Sequence, residues 1–155
     1  MKFDDLKSEI NFGLENLDRI YQIIQNFDKQ EIDQQVKTSA LTYECFGYYN
    51  AIEHLMIRII KHLNLSVPSG QFSHRDTLRI FKSFLAEGKI KIESNLIISI
   101  ENLMAFRHVA TKIYSFLIDW DKLDVILKLI KGKHNQIRQL FFDILESIQT
   151  GQRDG

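Results

Sequence analysis

Apolar residues return every three or four positions along most of this chain, and polar breaks cut that rhythm into separate runs. Phe3, Leu6, Ile10, Leu14, Leu17, Ile20, Ile24 and Phe27 form one stripe, the signature of an amphipathic helix of roughly seven turns. Asp28-Lys29-Gln30 breaks it. A second helix is expected from about residue 34 to about residue 64, where Tyr43, Phe46, Tyr49, Ile52, Leu55, Met56, Ile59, Ile60 and Leu63 make a broad apolar face. Its stop is assigned to the segment Asn64 to Gly70, which holds Pro68, because proline cannot continue a helix and forces the preceding residue toward extended geometry. Ser73 is the expected N-cap of a third helix, with Asp76 favouring its positive end. Leu78, Phe81, Phe84 and Leu85 follow, and Gly88 marks the close.

A fourth helix is expected to start between Ile92 and Ser94 and to carry Leu96, Ile97, Ile100, Leu103 and Met104 into a segment rich in functional groups. Asp119-Trp120-Asp121 reads as a junction in which one of the aspartates caps the next helix. The fifth run holds Leu123, Ile126, Leu127, Ile130, Ile137, Leu140, Phe141, Ile144, Leu145 and Ile148. Gly132 lies inside it and is a place to kink or divide, since glycine costs about 1 kcal/mol against alanine in a helix. The expectation is an all-α chain, an antiparallel bundle of four or five helices forming one domain over residues 1–149, with a frayed polar tail at 150–155.

Composition narrows the function classes. Twenty basic and twenty acidic residues cancel, which argues against a general nucleic-acid coat or a polybasic membrane binder but allows a local basic cleft. One cysteine, Cys45, allows neither an intrachain disulfide nor a multi-cysteine zinc site and fits a reducing, cytoplasmic setting. Asp4, Asp5, Lys7 and Glu9 interrupt any leader-like start, and no apolar run approaches twenty residues. Neither a signal peptide nor a membrane span is expected.

The densest chemistry lies in Phe106-Arg107-His108-Val109-Ala110-Thr111-Lys112-Ile113-Tyr114. Offsets of four and seven place Arg107, Thr111 and Tyr114 on one helical face. Lys112 lies about 140° around the axis from Arg107, and His108 about 100°. Spacing alone favours structural roles, a solvated or ion-paired arginine and a core tyrosine with a wet hydroxyl.

Several segments in order add to this. Tyr49-Asn50-Ala51-Ile52-Glu53, Pro68-Ser69-Gly70 with His74-Arg75-Asp76, and Phe106-Arg107-His108 through Leu117-Ile118-Asp119-Trp120 together resemble the HepT-like family of HEPN-domain ribonuclease toxins. In that family's motif an arginine is followed five residues later by histidine and two further on by tyrosine. Arg107 and Tyr114 match; Lys112 stands where the histidine belongs. The resemblance implies a HEPN-like helical bundle acting as a homodimer that joins two motifs across a cleft. It also implies metal-independent cleavage of RNA (tRNA or mRNA), with no cofactor. In the implied chemistry a ribose 2′-hydroxyl attacks the neighbouring phosphate, which needs proton transfer and positive charge on the phosphate.

By that resemblance Arg107, His108 and Lys112 are the candidate catalytic residues, and Arg107 and Lys112 the candidate RNA-binding ones. Arg107 suits phosphate, offering a planar fork of donors. A lysine ordinarily titrates near 10.4, so acting as a base near neutrality would cost it roughly 4 kcal/mol. Lys112 is therefore expected to hold phosphate rather than shuttle protons, leaving cleavage weak or absent. His108 is the alternative proton carrier, though its projection favours a structural role. The resemblance further implies a small nucleotidyltransferase antitoxin that transfers AMP to Tyr114, placing a phosphate against Arg107 and Lys112. The rival reading is a non-catalytic binding partner and substrate of that nucleotidyltransferase.

Other groups carry less. His54 and His62 span two turns and read as an exposed face rather than a metal site. His74-Arg75-Asp76 is explained by capping and ion pairing, with contact to the motif as the alternative. Lys128, Lys131, Lys133, His134 and Arg138 read as a charged face, with RNA contact as the alternative. Cys45, among Tyr43, Phe46 and Tyr48, reads as a buried small hydrophobe.

Overall fold

The computed structural model describes residues 2–112 and 118–154, with the backbone alone for 152–154. Its helices are α1 (Phe3–Asp28), α2 (Gln34–His62), α3 (Ser73–Glu87), α4 (described over Ser94–Lys112) and α5 (Trp120–Asp154). No strand occurs among the described residues, so the all-α bundle is the fold.

The predicted stripes are the packed ones, except that Tyr43, placed on the apolar face of α2, is exposed. On α1, Leu6, Ile10, Leu14, Leu17 and Ile24 are buried, and Gly13 lets α2 come close: a Cβ there would meet Leu55 Cδ2 at 2.5 Å. Helix α2 is the hub, touching α1, α3, α4 and α5, while α5 also closes against α1 and α4. Being surrounded explains why α2 buries residues on several faces, including Leu41, Cys45, Tyr48, Tyr49, Ile52 and Ile59. Burial pushes the Cys45 thiol up to about 12, which fits the inert role read from its neighbours.

Helix ends differ from the sequence expectation in instructive ways. Asp33 caps α2, its Oδ2 accepting from the backbone N–H of Gln35 (3.1 Å) and Val36 (3.2 Å). The far end closes before Pro68: Asn64 takes a left-handed conformation (φ 59°), and Leu65 and Asn64 N–H donate back to the carbonyls of Ile60 and Lys61. The proline only prevents resumption. Ser73 is not the N-cap of α3; it is the first helical residue, Phe72 holds the cap position, and no side chain caps that end. Gly88 holds the C-cap of α3, where the sequence placed the close, and the left-handed residue is the one after it. That residue is Lys89 (φ 54°), with Ile90 and Lys89 N–H donating to Leu85 and Ala86.

At α5, Asp119 Oδ1 accepts from Asp121 N–H at 2.9 Å, making Asp119 the cap. Helix α5 is continuous through Gly132 and runs to Asp154. Adding a turn to a long helix costs far less than starting one, and no proline intervenes.

Candidate functional site

Arg107 leaves α4 toward α2, not toward open solvent. Its Nε–H donates to Asn50 Oδ1 at 2.7 Å, and its guanidinium carbon lies 4.8 Å from the centre of the Phe46 ring. The ring face attracts the cation and shields one side of it from water. No carboxylate of the described residues forms an ion pair with Arg107. The result is a half-buried positive fork held by a neutral amide, with its terminal N–H groups uncompensated by an acid. An oxyanion is the natural complement of such a group.

The acid nearest along α2 is committed elsewhere. Phe46, Tyr49, Asn50 and Glu53 occur at offsets of three, four and seven, so they share one stripe of α2. Glu53, with its side chain 10% exposed, receives His74 Nδ1 from the first turn of α3 at 2.8 Å to each carboxylate oxygen. An ionised carboxylate only accepts, so Nδ1 carries a proton directed at Glu53. Between the two pairs, the Tyr49 hydroxyl is buried beside Glu53 without a well-formed hydrogen bond. Burial first, then the Glu53 charge, hold it protonated far above the usual phenol range, while Arg107 pulls the other way. Asn50 also lines a groove of about 360 Å³ between α1 and α2, with Asn16, Arg19 and His54.

The remaining candidates separate. His108 is exposed, its carbonyl accepts from Thr111 Oγ1 at 2.8 Å, and its side chain has no hydrogen-bond partner among the described residues. Lys112 is exposed at the last described position of α4, and no described contact joins it to Arg107. Tyr114 lies outside the described residues. His74, read mainly as a capping and pairing residue, is bound to α2, while Asp76 pairs with Arg79 at 3.8 Å.

The run of cations on α5 is not a uniform charged face. Lys128 pairs with Asp124, Lys131 with Asp28 and Arg138 with Asp18. His134 is inside the bundle, 5% exposed, between Tyr48 and Asp18. Asn50 and Glu53 were the residues that residue-by-residue reading undervalued. Two polar side chains inside an otherwise apolar helical stripe were the available signal.

A family model described as HepT-like protein matches residues 40–148, most of the chain and all of the elements that build the Arg107 site. The chain belongs to the HepT-like family. It therefore carries a HEPN-type domain, and in this HepT-like chain His74 at the start of α3 and Arg107 on α4 both meet the α2 segment that resembled the family. No curated protein and no solved structure gives a significant match. No helix among the described residues is long and apolar enough to cross a membrane.

Proposed function

We propose that this chain is the toxin-type subunit of a bacterial toxin–antitoxin pair, an RNA-binding HEPN homodimer with attenuated, metal-independent ribonuclease activity. One observation carries the reading: Arg107 is a half-buried guanidinium, oriented by Asn50 and Phe46 and unpaired with acid among the described residues. RNA phosphate is the partner it fits. Lys112, at the position of the family's histidine, adds charge to phosphate without an easy way to move protons. His108, also exposed, is retained as a lesser contact.

A second copy supports the same site. Val36 (56% exposed), Ala40 and Tyr43 (72% exposed) continue along α2 into Phe46, an apolar seam that leads to Arg107. Two chains pairing along it would bring two guanidinium groups to one groove. The test is RNA cleavage and growth arrest by the chain itself, Lys112→His and Arg107→Ala. Restored histidine should raise cleavage at least tenfold, and Arg107→Ala should weaken RNA binding about tenfold or more. If neither variant changes cleavage, growth or RNA binding, the reading fails.

A second reading is a non-cutting substrate of a nucleotidyltransferase antitoxin, modified with AMP on Tyr114. The same Arg107, unpaired with acid among the described residues, favours it, since a phosphate attached seven residues away in sequence would carry the charge that complements it. A mass increase of one AMP on Tyr114 after incubation with the nucleotidyltransferase and ATP, without cleavage by Lys112→His, would select it.

A further inference from the structure

We infer that His74, held by Glu53, is the proton-transfer group for RNA cleavage at Arg107, standing in for the histidine that Lys112 replaces. The inference rests on the ribonuclease reading above and adds a catalytic residue from a different helix.

The geometry is that of a carboxylate–imidazole pair. Glu53 is nearly closed to solvent and takes His74 Nδ1 with both oxygens at 2.8 Å, fixing the ring and its tautomer. Glu53 is thus the positioning residue. His74 keeps about a third of its side chain exposed, at 36%, and no described residue bonds its Nε2. In the neutral ring that nitrogen has a lone pair and no described partner. Arg107 is fixed on the same stripe of α2, at Phe46 and Asn50. Asn50 and Glu53 are three residues apart, less than one turn, or about 4.5 Å along the axis. That rise separates the two anchor positions on α2, and the proposal seats a phosphate on the Arg107 fork with its ribose on the His74 side. Tyr49, between them, is influenced by both Glu53 and Arg107. Lys112 and His108 have no comparable fixation: both are exposed and neither has a side-chain partner among the described residues.

The step balances without a co-reactant. His74 Nε2 takes the 2′-hydroxyl proton as the 2′-oxygen bonds to phosphorus, and the P–O5′ bond breaks. Water protonates the departing 5′-oxygen, and the hydroxide so formed takes the proton from the imidazolium. The products are a 2′,3′-cyclic phosphate and a 5′-hydroxyl, with Arg107 holding the negative charge that builds on the phosphate oxygens.

The experiment measures cleavage of a short fluorescein-labelled single-stranded RNA by the full chain, with binding followed by anisotropy and products by mass. His74→Ala should lower kcat about 100-fold or more with KM changed less than about threefold, and added imidazole should restore part of the rate. Glu53→Gln should lower kcat at least about tenfold with KM held. Lys112→Ala should mainly raise KM. Circular dichroism and melting of each variant separate a lost fold from a lost group.

Cleavage that survives His74→Ala but not Arg107→Ala overturns the role of His74 and leaves the ribonuclease reading standing. So does a chain that cuts only after Lys112→His. A chain that cuts RNA in neither form overturns both.

Discussion

Tyr48→Phe removes one oxygen from the centre of the bundle and should be felt throughout it. The Tyr48 hydroxyl lies 2.8 Å from His134 Nδ1, and His134 Nε2 lies 2.9 Å from Asp18 Oδ1. A carboxylate accepts, so Nε2 carries the proton; the neutral ring then presents a lone pair at Nδ1, to which the tyrosine donates. The ring cannot turn away to find another donor. It stacks on Tyr21 with centroids 3.9 Å apart and planes 2° from parallel, and turning would sacrifice the Asp18 bond. Phenylalanine fills the same space but leaves Nδ1 buried without a donor, at a cost of about 1–3 kcal/mol. For a chain of this length that is a fall in Tm of roughly 3–10 °C. Urea unfolding at pH 8 measures it, as a lower midpoint at unchanged slope. In a His134→Leu background the same substitution should cost almost nothing, because no nitrogen remains to be orphaned. A loss below about 0.5 kcal/mol, or an equal loss in both backgrounds, would refute the reasoning.

The same histidine sets a pH dependence. Burial, the largest cause, lowers the His134 pKa in the fold below its ordinary 6.5, against the opposing pull of Asp18. The unfolded chain therefore takes up a proton first as pH falls, so this contribution is complete above about 6.5 and is lost below it, by at most about 1.4 kcal/mol per pH unit. His62, also lowered by burial, acts in the same direction, so His134→Phe should flatten the Tm profile between pH 7 and 5 only in part; an unchanged slope would count against it. Tyr43→Asp places charge on the exposed α2 seam and should shift the mass of the proposed homodimer to that of a monomer, as read by light scattering, with little change in Tm; a dimer that persists rules out this seam. Lys89→Gly relieves a side chain held at φ 54° and should raise stability by about 0.5–1 kcal/mol, and a loss would mean that the lysine makes contacts worth more than the strain.

Periodicity carried most of the fold. The stripes on α1, α4 and α5 are local patterns, and a local pattern is enough to make a helix and to choose its buried side. His134 illustrates the limit of reading by charge: it sits four residues after Ile130 and three before Ile137, on the buried face, although Lys131 and Lys133 come just before it. Helix ends were less legible, since Asn64 and Lys89 close their helices through backbone bonds that neither residue type demands.

The amino-acid order by itself determined that the chain is helical, which faces turn inward, and that Arg107, Lys112 and Tyr114 stand at offsets of five and two in a spacing that resembles the HepT-like motif. Only the tertiary structure decided what Arg107 touches, because Asn50 is 57 residues away and helix spacing is blind to other helices. It also brought His74 to Glu53 across the turn between α2 and α3. A lone guanidinium or imidazole has no assigned chemistry. Packing α3 and α4 against one stripe of α2 gives each a partner, a protonation pattern and an exposed side, and those follow from distances that no one-dimensional pattern contains.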